Sequence, residues 1–219
     1  MATTVHARAV TTLSDLDTPV VTVDMDRAEA NIAKLQAYLD EHGIANRPHV
    51  KTHKLPLLAH KQLAAGARGI TVQTLGEAEV MVVSGVTDVL VTYNLIGPHK
   101  AARLARLARM ADVKVAVDNE VALATVAEAA SAARRHIGVL VEFESGKRRQ
   151  GVLEPSAVLG LAQRIEASPR LTFEGLLTYP ASAAIGPFVS EARSLLDRAG
   201  LEVRTVSAGG TPGMWRAHE

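Results

Sequence analysis

Short apolar runs rich in β-branched residues alternate with Ala- and Leu-rich segments of helical periodicity along most of this chain. This alternation favours a parallel sheet covered by helices, because parallel neighbours need a long crossover connection. Strands are predicted at Val20–Val23, His49–His53, Ile70–Thr74, Val89–Tyr93, Val113–Asp118, Val139–Phe143, Thr172–Thr178 and Val203–Ser207. A helix follows the first of these strands, and further helices are predicted near 55–65, 76–84, 98–110, 119–134, 154–167 and 187–199.

Such a chain either closes into a barrel or stays an open, doubly wound sheet. No Gly-x-Gly-x-x-Gly follows the first strand, so the main signal for a dinucleotide-binding sheet is missing. Polar residues end several different strands, as a TIM barrel requires, whereas an open sheet concentrates them at one switch point. They include Lys51, His53, Gln73, Thr74, Asn94, Asp118, Glu142, Glu144, Thr178, Tyr179 and Ser207. The predicted fold class is therefore α/β, a (β/α)8 TIM barrel.

Composition excludes several classes of function. The chain has no cysteine, so it holds no disulfide and no thiolate metal site. Its net charge of +1 gives no electrostatic reason to expect nucleic acid or an anionic membrane as a partner. Residues 1–18 are interpreted as a leader without an apolar core of signal-peptide length. We expect a cytoplasmic protein whose barrel domain occupies residues 19–219.

The segment Arg47–Lys54, RPHVKTHK, contains the strongest candidate for chemistry. On a strand, His49, Lys51 and His53 would share one face. A lysine enclosed in a barrel loses hydration, which favours the neutral amine that forms a Schiff base with an aldehyde. From spacing alone, a basic strand end on the surface is an equally good interpretation. Zinc binding is disfavoured, because this spacing of histidines suits a helix and no third ligand is near.

Two further segments follow predicted strands. The segment Ser207–Gly213, SAGGTPG, has glycines where backbone amides could approach an anion, although on its own it is better interpreted as a plain Gly/Pro turn. The segment Glu144–Val152, ESGKRRQGV, places Lys147, Arg148 and Arg149 beside a carboxylate. Charge runs in loops are usually solvated, so this segment alone indicates little.

Taken in order, six segments resemble the fold-type III enzymes that use pyridoxal 5'-phosphate (PLP) and are related to alanine racemase. The resemblance is to their D-threonine aldolase and D-serine dehydratase branch, and it covers nearly the whole chain from Asp17. The segments are DTPVVTVDMD, RPHVKTHK, TLGEAEV, ESGKRRQGV, EGLLTYP and SAGGTP, of which RPHVKTHK is the most specific.

The resemblance assigns site residues by position. It makes Lys51 the Schiff-base lysine and implies an (β/α)8 barrel of the alanine racemase N-terminal type. The remaining cofactor-binding residues that it implies are His49, Arg149, Tyr179, Ser207, Gly209, Gly210 and Thr211. Gln73 and Asn94 are weaker candidates. Glu144 stands where many relatives carry Asp.

The resemblance also implies an activity, a PLP-dependent lyase acting on small D-β-hydroxy amino acids. The alternatives are an amino-acid racemase and a non-catalytic PLP-binding protein. In the family, a C-terminal β domain pairs with the first strand, here Val20–Val23, and supplies the ligands of a divalent metal, manganese or zinc. We expect this chain to lack that domain, its metal ligands and the last barrel strand, and therefore to turn over D-threonine or D-serine very slowly. A homodimer is expected.

Overall fold

The computed structural model describes residues 12–182 and 185–218, in which six parallel strands form one sheet in sequence order. The sheet curls into a half-barrel with helices on its outer side. Its strands are β1 (Ile70–Val72), β2 (Asp88–Val91), β3 (Asp112–Val117), β4 (Ile137–Glu142), β5 (Leu171–Leu177) and β6 (Thr205–Ser207). Because every strand runs in the same direction, all their carboxyl ends lie at one rim of the curl.

Helices occupy each connection between strands, as the periodicity predicts. Before the sheet lie α1 (Met25–Glu41) and α2 (Pro56–Ala64), and the later helices are α3 (Leu75–Val83), α4 (Pro98–Ala108), α5 (Glu120–Ala133), α6 (Pro155–Glu166) and α7 (Ile185–Arg198). Side chains of Asp24, Thr74 and Asn119 accept backbone N–H groups at the starts of α1, α3 and α5. Proline opens α2, α4 and α6, where its missing N–H costs nothing.

The two faces of the strands have different surroundings. On the outer face, residues such as Val139 and Val141 join the main apolar core beneath the helices. On the inner face, Leu140 belongs to a small separate cluster with Leu90, Ala116 and Leu177. Successive side chains of a strand point to opposite faces, which produces this division. The inside of the curl is therefore apolar at mid-height and lined by polar residues at its carboxyl rim.

Gly175 allows the last two strands to pair. Its backbone is at φ +135°, and a Cβ at this position would collide with the carbonyl oxygen of Thr205 on β6. A side chain here would push β6 away from β5, together with the segment that follows Ser207.

Two predicted strands are wrong. Val20–Val23 forms no strand and is exposed, with Val21 at 92 %. Its β-branched residues favour an extended chain, but a strand also needs a paired neighbour. His49–His53 makes only one parallel bridge, from His49 to Thr71, and then a 3₁₀ turn over Val50–Thr52. The imidazole of His49 accepts the backbone N–H of Lys51 and so contributes to this turn.

The other six strand predictions are confirmed to within a few residues. Residues 1–11 of the predicted leader lie outside the described part of the chain. Among the described residues, the helices are all too short or too polar to cross a bilayer.

Candidate functional site

A cavity of about 430 Å³ lies inside the curl and reaches its carboxyl rim. The structure brings to its wall all eight residues that the family resemblance assigns to the cofactor. These are His49, Lys51, Arg149, Tyr179, Ser207, Gly209, Gly210 and Thr211. The weaker candidates Gln73 and Asn94 are not among the lining residues. Gln73 contacts Lys51, whereas the Asn94 amide donates to Asp118.

Two cationic side chains lie near the ring of Tyr179. The Lys51 Nζ atom is 5.1 Å from the ring centroid, and the guanidinium carbon of Arg149 is 5.0 Å from it. Lys51 Nζ also lies 3.5 Å from Oε1 of Gln73. Cations at these distances are attracted to the electron-rich face of the ring. The cavity therefore has a positively charged wall beside an aromatic side chain, a suitable setting for an anionic, planar ligand.

The loop ESGKRRQGV brings one of its three cationic side chains to the cavity. The Glu144 carboxylate accepts the backbone N–H groups of Gly146, Lys147 and Arg148, which folds the loop back on itself. The chain then returns to β4 through a bridge from Val152 to Phe143. All three side chains are exposed, and Arg149 alone of the three also lines the cavity. The loop is thus partly the solvated charge run and partly a contributor to the site.

His49 is held as a neutral imidazole. Its Nδ1 accepts the N–H of Lys51 at 3.3 Å, and its Nε2 lies 3.4 Å from Oγ1 of Thr92, whose hydroxyl donates to the Val72 carbonyl. The ring proton is therefore on Nε2. Burial, assisted by the charge of Lys51, lowers the pKa of His49 to about 4. The ring fixes the backbone at Lys51 without adding a charge to the cavity at neutral pH.

Glu142 is the cavity residue whose importance sequence reasoning missed. It ends β4, is 4 % exposed, and accepts the side-chain amide of Gln150. Burial raises the pKa of Glu142 to about 7, despite that hydrogen bond and the charge of Arg149. The spacing along β4 could have indicated that Glu142 faces the cavity. Residues two apart on a strand share a face, and Glu142 lies two residues after the inward-facing Leu140. A carboxyl group that exchanges a proton near neutral pH therefore faces the cavity.

Glycines in the segment Ser207–Thr211, which we call the Gly-Gly turn, leave room for a ligand. A Cβ added at Gly209 would meet no atom within 4 Å, although this residue lines the cavity. Gly210 has φ +145°, in the region that favours glycine. Backbone N–H groups at such a turn can surround a phosphate. Together with the Lys51 amine, the turn fits a phosphate-bearing aldehyde such as PLP.

Substitution of Gly209 by valine is expected to weaken PLP binding about tenfold or more, because the side chain would occupy space needed by the phosphate. Cofactor titration followed by visible absorbance measures the change in Kd. Gly213, where a Cβ also meets no atom within 4 Å, provides a matched control as Gly213→Val, because it does not line the cavity. Equal affinity in the two variants would remove the Gly-Gly turn from the site.

The described residues contain no group of three or more His, Asp or Glu side chains placed to hold a metal ion. These residues therefore do not by themselves form the divalent-metal site that the family resemblance implies.

A parallel α/β half-barrel with a lysine, an arginine, a tyrosine and a Gly-Gly turn around one rim cavity defines the class of PLP-type barrel domains. The sequence profile described as "Alanine racemase, N-terminal domain" matches residues 23–219. The chain belongs to this family, within the fold-type III group.

Several characterised proteins are similar to it. D-threonine aldolase from Arthrobacter sp. is 37% identical over 213 residues, which are 91% of this chain and 56% of that protein. D-threo-3-hydroxyaspartate dehydratase from Delftia sp. (strain HT23) is 35% identical over 217 residues, 92% of this chain and 57% of that protein. The chain spans little more than half the length of these relatives, which are PLP-dependent lyases.

Solved structures of related proteins share the fold of this chain. The crystal structure of D-threonine aldolase from Filomicrobium marinum matches with a TM-score of 0.87 and 33% identity, over 92% of this chain and 58% of that one. Alanine racemase from Streptomyces lavendulae matches with a TM-score of 0.72 at 20% identity, over 89% of this chain and 53% of that one, and supports the fold alone.

Proposed function

We propose that this chain binds PLP covalently through Lys51 and that the protein is a lyase for small D-β-hydroxy amino acids. One observation carries the proposal: the Lys51 amine, the Tyr179 ring and the Gly-Gly turn share a single cavity. The similarity to D-threonine aldolase and D-threo-3-hydroxyaspartate dehydratase supports the choice of reaction and substrate.

Each residue has a distinct role in this proposal. Lys51 supplies the amine for attachment, and the backbone N–H groups of the Gly-Gly turn bind the phosphate. Arg149 and Tyr179 line the part of the cavity that would hold the planar ring of the cofactor. When bound, PLP acts as an electron sink that weakens the bonds to Cα of an amino acid. The Lys51 amine lines the same cavity, where it would be available to accept a proton from a bound amino acid.

A lyase is favoured over a racemase by the strength of the similarities. The aldolase and dehydratase relatives are 32–37% identical to this chain, whereas the alanine racemases that match in structure are near 20%. A racemase also needs two bases on opposite faces of the substrate, and Lys51 is the one base assigned here. A cytoplasmic homodimer, expected from the sequence, belongs to the same proposal and stays a prediction.

Product analysis tests the reaction. The PLP-loaded protein is incubated with the D- and L-forms of threonine, serine and 3-hydroxyaspartate, with and without manganese or zinc. We expect the D-forms to be consumed preferentially, by about tenfold or more. Glycine with an aldehyde indicates the aldolase reaction, and a 2-oxo acid with ammonia indicates the dehydratase reaction. Because slow turnover is expected of this chain, the incubation is prolonged. Formation of the opposite enantiomer alone, or bound PLP with no conversion at all after prolonged incubation, would contradict the lyase proposal.

A further inference from the structure

The motif TLGEAEV, which spans Thr74–Val80 at the start of α3, contains two glutamates in different surroundings. The side chain of Glu77 is 8% exposed, and that of Glu79 is 37% exposed. Glu79 forms a two-bond ion pair with Arg103 of α4, and neither of these residues lines the rim cavity. Glu77 instead faces the segment that contains Lys51.

The carboxylate of Glu77 binds two groups from segments next to Lys51. One carboxylate oxygen accepts the backbone N–H of Gln73 at 2.7 Å, and the other lies 3.0 Å from Nζ of Lys54. Gln73, at the end of β1, places its side-chain oxygen 3.5 Å from Nζ of Lys51. A single carboxylate therefore links the strand end that contacts Lys51 to the residue that closes the 3₁₀ turn after it.

Lys54 needs such a partner. Its backbone has φ 54°, in the left-handed region that is costly for a residue with a side chain. Its N–H donates to the carbonyl of Val50 at 2.8 Å, which closes the turn carrying Lys51. An ion pair from Lys54 to a largely buried carboxylate offsets the cost of that conformation and so stabilises the turn.

The carboxylate of Glu77 is charged at neutral pH. Burial raises its pKa, but the N–H of Gln73 and the ammonium of Lys54 outweigh burial, so the pKa lies below its usual value. The charge reaches the cavity wall, because it raises the pKa of His49 against the effect of burial. Glu77 is therefore coupled to the site by contacts and by charge.

Helix capping explains only part of this arrangement. Thr74 accepts the N–H of Glu77, and the pair has the spacing of a capping box. A capping box requires no contact with Lys54 and none with the strand end beside Lys51. Those contacts connect α3 to the turn of Lys51.

We propose that Glu77 is a positioning residue for Lys51, holding the 3₁₀ turn and the end of β1 so that the Lys51 amine enters the cavity. The proposal rests on the proposed function only in taking Lys51 as the attachment site. Glu77 is assigned no contact with substrate or cofactor.

The test compares Glu77→Gln with Glu79→Gln, which makes the same change two residues further along α3. Borohydride trapping and peptide mass spectrometry measure the rate of PLP attachment at Lys51. We expect Glu77→Gln to slow attachment about tenfold or more, because small misplacements of a reacting group have large effects on rate. We expect Glu79→Gln to attach PLP at the wild-type rate. Attachment by Glu77→Gln at the wild-type rate would overturn the proposal.

Reductive methylation of the apoprotein gives a readout that needs no cofactor. In Glu77→Gln, Lys51 should be methylated faster than in the wild type, because its amine is no longer held, while Lys61 and Lys114 react as before. Equal acceleration at all three lysines would indicate general destabilisation and overturn the positioning role. A wild type that takes up no PLP would defeat the proposed function, while methylation would still decide the role of Glu77.

A second variant tests the bridge itself. Lys54→Met should also slow PLP attachment, and the double variant should be no slower than Glu77→Gln, because both changes remove one interaction. Additive effects would show that the two residues act independently, contrary to the proposal.

Discussion

Replacing Lys51 by methionine is expected to abolish covalent attachment of PLP. Methionine preserves much of the side chain's length and apolar contact with the cavity but has no amine to react with an aldehyde. The neighbouring Lys54 cannot substitute readily, because its ammonium is paired with Glu77 and its side chain is 64% exposed. After borohydride reduction, peptide mass spectrometry should find the pyridoxyl group on Lys51 in the wild type and on no residue of the variant.

Lys61→Met is the matched control for Lys51→Met. Lys61 lies on α2 and pairs with Glu29 of α1, and it does not line the cavity. Its loss should leave the yield of pyridoxyl-Lys51 unchanged. A wild-type label on Lys54 or another lysine, or full labelling of Lys51→Met, would show that the attachment site is wrong.

Replacing Glu142 by glutamine is expected to change how stability depends on pH. Burial raises the pKa of Glu142 from 4.5 to about 7, so the folded protein keeps a proton that the unfolded chain releases. The stabilisation associated with that proton is complete below about pH 4.5 and is lost as the pH rises to about 7. Its size is about 3 kcal/mol at 1.36 kcal/mol per tenfold change in proton affinity.

His49 acts in the opposite direction over nearly the same range. Its pKa is lowered from 6.5 to about 4, so between these pH values the unfolded chain binds a proton that the folded protein does not bind. Stability from this group is present above about pH 6.5 and is lost as the pH falls towards 4. The contributions of His49 and Glu142 therefore largely cancel between about pH 4.5 and 6.5.

Urea unfolding at pH 5 and pH 8 measures the effect. The free energy of unfolding of Glu142→Gln, relative to wild type, should be higher at pH 8 than at pH 5 by about 2–3 kcal/mol. The amide can still accept from Gln150, which limits other changes. Glu191→Gln, on an exposed position of α7, controls for the change in net charge. A stability difference that stays constant between the two pH values would contradict a raised pKa of Glu142.

Whether a feature of this protein could be predicted from its sequence depends on how local that feature is. The six confirmed strands and the helices between them were predictable, because their periodicity and their bounding residues are encoded within each segment. The convergence of Lys51, Arg149, Tyr179 and the Gly-Gly turn on one cavity was also predictable. Parallel strands bring their carboxyl ends to a common rim, whatever the distances along the chain. Lys51 reaches this rim from a 3₁₀ turn, because the preceding His49 bridges to Thr71 of β1.

The segment His49–His53 shows the limit of this reasoning. Strand alternation places His49, Lys51 and His53 on one face, but the 3₁₀ turn separates them. His49 and Lys51 line the cavity, whereas His53 accepts the N–H of Leu55 at the start of α2. The turn is stabilised in part from α3, through Glu77 and Lys54, and no pattern within RPHVKTHK encodes that contact.

The sequence by itself determined the order of the six paired strands and of the helices between them, and the family, and it proposed Lys51 as the attachment residue, because these depend on local periodicity and on short motifs. Tertiary structure alone decided that Glu142 keeps its proton to about pH 7, that His49 is neutral and that Glu77 reaches Lys54. Protonation depends on burial and on neighbouring charges, which are brought together only when residues far apart in the chain pack against one another.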